Sequence, residues 1–184
     1  GLTSTNNTVT YPGKSYTEAS NNYNHTAILS DGSTITWGRD YETRGLPKYS
    51  IKIQSGASQI FSCDNGFAVL KTDGSVVSWG SELDFNDEVK SNLTSGVVDI
   101  SSTESAFAAL KSDGSVVTWG KTNNRNGADS SIVSNLINSN VKKVYSTHAA
   151  FAALKNDGSV ITWGRNGSGG SSSYVSSSID SGVQ

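Results

Sequence analysis

Residues 107–120 read FAALKSDGSVVTWG, and near-copies stand at 67–80 (FAVLKTDGSVVSWG), 151–164 (FAALKNDGSVITWG) and, more worn, 26–38 (TAILSDGSTITWG). Each copy reads as a β-hairpin. Asp113–Gly114 sits between two apolar runs, and Asp-Gly supplies the positive φ angles of a tight turn. The dipeptide recurs at Asp31–Gly32, Asp73–Gly74 and Asp157–Gly158. The Ser-Val-Val-Thr-Trp-Gly that follows is rich in β-branched and aromatic residues, as a strand requires. The small residues of Phe-Ala-Ala-Leu suit a strand near a crowded centre. Gly32, Gly74, Gly114 and Gly158 are therefore assigned as turn residues. Trp37, Trp79, Trp119 and Trp163 are assigned as packing residues, each followed by a glycine that relieves a bend.

The four tryptophans are spaced 42, 40 and 44 residues apart, a period that fits a four-stranded propeller blade. Upstream of each hairpin lies a further short strand: SYTEAS at 15–20, SQIFS at 58–62, VVDISS at 97–102 and VKKVYS at 141–146. Downstream, segments such as SSIVSNLI (130–137) and SSYVSSSI (172–179) read as a marginal fourth strand. Each leads into a step such as Ser95–Gly96 or Ser139–Asn140. No unit carries the 3.6-residue apolar period of a helical solenoid. The expected fold is all-β, a β-propeller of four repeats of about 42 residues, either a complete small ring or a partial ring or fragment of a longer propeller. One repeat domain covers 1–184, with units near 13–54, 55–94, 95–138 and 139–180. Residues 181–184 match the start of a further unit, and TSTNNTVTYPG near the N-terminus is able to supply the last strand of a preceding one. Open blades would expose strand edges and an apolar flank, which favours closure or association, including a homo-oligomer.

Composition narrows the function. Hydrophobic residues make up 34% and charged residues 16%, with a net charge of −2 and 19 glycines. Disorder is not indicated, because low net charge accompanies four Trp and seven Tyr to bury. A Ser/Thr/Asn-rich, charge-poor surface fits an extracellular or cell-surface bacterial protein. Scattered Lys and Arg argue against nucleic acid as partner, and no apolar run is long enough for membrane insertion. The single cysteine, Cys63, leaves no intrachain disulfide and reads as a small buried residue. With no Met and no signal sequence in this chain, it reads as a processed product or an excised piece of something longer.

Catalytic and metal signatures are weak. Each Asp-Gly turn offers one carboxylate where a calcium loop needs several, so no metal and no cofactor are expected. No nucleophile elbow or phosphate cradle occurs. The acids Glu82, Asp84, Asp87 and Glu88 read as solvated loop residues, and the protein is not expected to be an enzyme. The two histidines read as strand-end residues, His25 aligned with Ala106 and His148 with Glu104. What varies between units is the segment before each hairpin and the loop after each Trp-Gly. Corresponding loops of a propeller gather on one face, where recognition sits. From these segments come the candidate binding residues Tyr23, His25, Asp64, Glu104 and His148, and Arg39, Tyr41, Phe85, Asn123, Arg125 and Arg165. Tyr41 and Phe85 are the expected aromatic anchors, and the arginines the partners for acids or rings.

The unit resembles the repeat of the regulator of chromosome condensation family, particularly its bacterial propellers. The likeness rests on His/Phe-x-Ala-Leu, then Asp-Gly, then Trp-Gly: His25 through Trp37–Gly38, and Phe67, Phe107 and Phe151 through their own Trp-Gly pairs. Two features depart from the family. Its propellers close with seven blades, whereas this chain has material for four, and its Gly-Gln-Leu-Gly-like loop is replaced here by SELDFNDEVK, KTNNRNGADS and RNGSGGSSSY. The combined expectation is a non-catalytic recognition module, adhesion included, that binds protein or glycan through loops on one face. The alternatives are a self-assembling structural segment that associates through blade edges, and, by family precedent, an inhibitor of a secreted enzyme such as a β-lactamase. The family's nucleotide-exchange role finds no charge or loop here to support it.

Overall fold

The phrase folds as a hairpin four times over. The computed structural model describes residues 7–11, 14–21, 24–38, 50–51, 53–64, 66–80, 83–121 and 128–183. Blade 1 is β1 (Asn7–Tyr11), β2 (Lys14–Ser20), β3 (Asn24–Ile28), β4 (Thr34–Gly38) and β5 (Ser50–Ile51), hydrogen-bonded in that order. Blade 2 is β6 (Ala57–Cys63), β7 (Gly66–Lys71) and β8 (Val76–Gly80). Blade 3 is β9 (Val97–Ser102), β10 (Ala106–Lys111) and β11 (Val116–Gly120), and blade 4 is β12 (Val141–Ser146), β13 (Ala150–Lys155) and β14 (Val160–Gly164). All pairings are antiparallel. β1 pairs with β2 of its own blade, so this stretch is part of the first unit.

Two elements differ from the sequence reading. The marginal fourth strand is helical in blades 2 to 4: α1 (Asp87–Asn92), a 3-10 turn (Ser131–Leu136) and α2 (Ser176–Ile179). Asn86 caps α1 by accepting a bond from the Val89 N–H (3.0 Å), with Asp87 and Glu88 in the first turn. Val133 in the 3-10 segment and Ile137 just after it are both buried in the core between blades 3 and 4. Secondly, Phe-Ala-Ala-Leu is the middle strand of its sheet, while the upstream strands β2, β6, β9 and β12 contact one another in succession. Its alanines are small because β10 is buried on both faces between neighbouring blades: Ala106, Ala108 and Ala109 are all fully buried.

The Asp-Gly turns are three-residue loops rather than two-residue ones. The Gly74 N–H donates to Lys71 O, and Lys71 N–H to Ser75 O. Only the glycine takes a positive φ (77°), as in a type I turn closed by a left-handed residue. The aspartate instead accepts bonds from the backbone N–H and hydroxyl of the following serine, at 2.9 and 2.6 Å for Asp73 and Ser75. Those two bonds, with the Lys71 ammonium, hold the Asp73 carboxyl at about 2. Asp113 and Asp157 are lowered by the same serine contacts. Because the folded value lies below the ordinary 3.8, the stabilisation is complete above that value and lost as pH falls through about 2. The thermal midpoint should therefore fall between those pH values, and Asp73→Ala should flatten that fall.

These turns also join the blades. Gly74 O accepts the Val97 N–H that starts the next blade, and Gly96 O accepts the Ser112 N–H of that blade's own turn. The bond repeats from Ala57 to Gly32, Val141 to Gly114 and Val183 to Gly158, so a belt of backbone bonds runs along one end of the sheets. Asn140, at φ 62°, occupies the belt position that Gly56, Gly96 and Gly182 fill elsewhere.

Among the described residues, three hydrophobic cores separate the four blades. The first holds Ile28, Ile60 and Phe67, the second Phe61, Leu70, Phe107 and Trp119, and the third Leu110, Val144, Phe151 and Trp163. Trp119 and Trp163 stack on Phe107 and Phe151, with ring centroids 5.3 Å apart in both pairs. The Trp119 indole N–H crosses to blade 2 and donates to Ser78 Oγ (3.0 Å). Ser78→Ala would leave that buried donor unpaired and should cost about 1–3 kcal/mol in urea unfolding. Ser78→Thr, the residue at this place in blades 1, 3 and 4, should restore it. Cys63 is buried at the end of β6.

Candidate functional site

At the end of each sheet opposite the Asp-Gly belt, a short connection leads into the first strand of the hairpin: β2 to β3, β6 to β7, β9 to β10 and β12 to β13. In blade 3, Thr103 closes it: its N–H donates to Ala106 O (2.9 Å), and its hydroxyl accepts the Ala106 N–H (3.1 Å). Thr147 repeats the first bond with Ala150 (2.8 Å), and Asn21 repeats it with Asn24 (2.9 Å). The residue after this one sits at the loop tip. Counted back from Phe67, Phe107 and Phe151, the tips are Asp64, Glu104 and His148, three of the residues singled out from the sequence.

The structure joins these tips into a row. Asp64 N–H donates to Glu104 O (2.7 Å), and Glu104 N–H donates to His148 O (2.9 Å). Side chains continue the link, with His148 Nε2 2.8 Å from Glu104 Oε2 and both groups substantially exposed. Here chemically different side chains hold one geometric position on a backbone fixed by its neighbours.

The loops after Trp-Gly leave from the same end. Lys121 N–H donates to Ser105 O and Arg165 N–H to Ala149 O, both at 2.9 Å, so the second loop starts beside the first. Gly120 is required there: a Cβ would stand 2.5 Å from Ser105 O. Arg165 is exposed beside the tip of blade 4. Tyr23, Arg39, Tyr41, Asn123 and Arg125 lie outside the described residues.

Two candidates occupy other surroundings. Phe85 is partly buried against the second core, 5.9 Å from the Trp119 ring, so its face serves packing between blades 2 and 3. His25 pairs across the sheet with Trp37, as Phe107 does with Trp119, and therefore corresponds to Phe107 rather than Ala106. Its ring stacks on Trp37 (5.4 Å, 13°), and its Nδ1 lies 3.1 Å from Glu18 Oε1. It belongs to a blade face, not to the tip row.

One feature went unread in the sequence. A notch of about 280 Å³ opens between blades 2 and 3, lined by Asp84, Val89, Thr118, Trp119, Asp129 and Ser131, among others. Asp129 accepts the Ser131 N–H (3.0 Å), and its carboxyl is held below the ordinary value by Ser131. The Asp-x-Ser spacing shared with the hairpin turns was the available signal. Among the described residues no group of three His, Cys, Asp or Glu side chains is placed to hold a metal.

The array is similar to yeast RCC1 (Prp20) as seen bound to Kap60, with a TM-score of 0.57 at 18% identity over 84% of this chain and 43% of that one. Human WBSCR16 gives 0.57 at 14% identity, covering 82% and 47%. The receptor kinase CR4 ectodomain of Physcomitrella patens gives 0.53 at 12%, covering 80% and 40%. The chain thus spans less than half the length of each. Likeness at these identities shows the fold, an RCC1-like β-propeller. No family model matches the sequence, and no curated protein matches it.

Proposed function

We propose that this protein is a non-catalytic recognition module of the RCC1-type repeat family, from a bacterial secreted or cell-surface protein, that binds a protein or glycan through its loop-tip face. The observation that carries this reading is the row Asp64–Glu104–His148, three different side chains at one position of successive blades, joined by backbone bonds of 2.7 and 2.9 Å. Conserved turns build the frame at one end, and the changing chemistry stands at the other. The neighbours are compatible with such a role: the yeast structure was solved with Kap60 bound, and a second concerns binding of Prp20p to Gsp1p and histones. The neighbour from Physcomitrella patens is an ectodomain, which suits a place outside the cell.

The test is a glycan array together with a panel of purified surface proteins, probed with the wild-type chain and with Asp64→Ala/Glu104→Ala/His148→Ala. A ligand retained by the wild type should be lost by the triple variant, with at least about a tenfold rise in Kd, equivalent to 1.4 kcal/mol. The melting curve should change little, because the row's backbone bonds between blades remain and the exposed Glu104–His148 side-chain pair contributes little.

A further inference from the structure

Blade 1 carries a strand outside its hairpin, and blade 3 has the notch in that place. In blade 1, β5 lies along the outer edge of β4, with Thr36 opposite Ser50. The chain is then anchored by the Thr34 N–H, which donates to Ile53 O (2.9 Å). Blade 3 makes the same anchoring bond, from the Val116 N–H to Ile137 O (2.9 Å). Before Ile137, however, the chain coils into the 3-10 turn Ser131–Leu136. Among the described residues β11 is left as the outermost strand of its sheet.

The register shows which backbone groups this leaves open. The Lys111 N–H bonds Ser115 O and the Lys121 N–H bonds Ser105 O. Val117 and Trp119, on the same alternation, therefore turn their backbone groups toward β10, and Val116, Thr118 and Gly120 turn theirs outward. Ile137 takes the Val116 N–H, and Gly120 O accepts the Asp84 N–H (3.2 Å). Between these two points the backbone N–H and C=O of Thr118 have no hydrogen-bond partner among the described residues, while its hydroxyl is turned aside to Ala128 O (2.8 Å).

The notch opens at this point, over Thr118 and Trp119. Asp84, from the segment after blade 2, and Asp129, from the segment after blade 3, both line it. Both are exposed, and neither enters an ion pair among the described residues. Their neighbours supply neutral donors only: the Asn86 amide to Asp84 (3.3 Å) and the Ser131 N–H to Asp129 (3.0 Å). The volume of about 280 Å³ falls below the roughly 300–1,000 Å³ of a site for a whole small molecule. It suits one side chain with its own backbone. An open strand edge calls for a backbone donor and acceptor, and two uncompensated carboxylates call for a cation. A neutral glycan offers neither.

We infer that the outer edge of β11 takes an extended peptide of a partner protein as an added strand. Its backbone pairs with Thr118, and a Lys or Arg side chain lies between Asp84 and Asp129. This site is separate from the loop-tip row, and neither depends on the other.

The test is a 15N–1H NMR titration of the 184-residue chain with the acetylated, amidated hexapeptide Lys-Tyr-Ser-Ile-Lys-Ile. That is the sequence of residues 48–53, which contains β5 with a lysine on either side. The Thr118 amide should shift and exchange more slowly with solvent. The peptide Glu-Tyr-Ser-Ile-Glu-Ile should bind at least about tenfold more weakly, and Asp84→Asn/Asp129→Asn should cost the lysine peptide a similar factor. Far-UV circular dichroism of that variant separates lost binding from lost folding. No shift at Thr118 up to millimolar lysine peptide overturns the inference, as do equal affinities for the two peptides. Shifts from free arginine as large as those from the peptide would mean a cation site without strand addition, and would also overturn it. Asp64→Ala/Glu104→Ala/His148→Ala should leave the peptide's affinity unchanged; a loss there would put the peptide on the tip row instead.

Discussion

Trp119→Ala should lower stability by about 3–5 kcal/mol, the cost of truncating a large aromatic in a packed core. Its side chain is 2% exposed. It stacks on Phe107, borders Phe85, and sends its N–H across to Ser78 Oγ. Its core is the middle of three, so the deletion strikes where blades 1 and 2 are held to blades 3 and 4. In an array where each unit touches only its neighbours, stability is close to a sum of units and junctions. A weakened central junction should therefore lower the thermal midpoint and broaden the transition. Trp163→Ala, at the third core, should free blade 4 and leave blades 1 to 3 cooperative. Near-UV circular dichroism against temperature checks both. A midpoint that does not move in Trp119→Ala would mean that the blades do not depend on this junction.

The second large effect is expected at Gly114. It lies at φ 80°, and an added Cβ would stand 2.7 Å from Asn140 N, 3.2 Å from its Cα and 3.3 Å from Val141 N. Those atoms are all backbone and cannot swing aside, and the Val141 N–H bond to Gly114 O (3.0 Å) runs through the same contact. Gly114→Ala should cost about 2–5 kcal/mol, combining roughly 1–2 for a left-handed residue with roughly 1–3 for overpacking. Gly169→Ala supplies the comparison. It has φ 98° but nothing within 4 Å of the added carbon, so only the conformational part should appear. Equal losses for the two variants in urea unfolding would show that the turn-to-blade belt contributes nothing.

The frame was legible because its residues are governed by local rules. The tryptophan spacing, the Asp-Gly hairpin and the upstream strands each carry a signal within a few residues. What escaped depends on partners far away in the chain. Asp-Gly serves both two-residue and three-residue loops, and the choice follows from the belt to the next blade. SSIVSNLI has β-branched residues that suit a strand, and Val133 and Ile137, four apart, would share one side in a strand as in a helical turn, so its pattern did not separate the two. Phe85 looked like a free aromatic because its partner, Trp119, is on another blade. For the site, aligning the units placed His148 with Glu104. Their union with Asp64 through backbone bonds needed the curvature that brings successive blades together. Asp129 was missed because its notch exists only between two blades.

The central claim is that one end of the sheets is frame and the other is recognition surface. Its most direct measurement is a 15N–1H NMR titration of the chain with a ligand from the array or protein panel. The amides of Asp64, Glu104, His148 and Arg165 should shift together, with those of Thr72–Gly74, Ser112–Gly114 and Asn156–Gly158 unmoved. Shifts confined to those Asp-Gly turns, with the loop tips silent, would contradict the account.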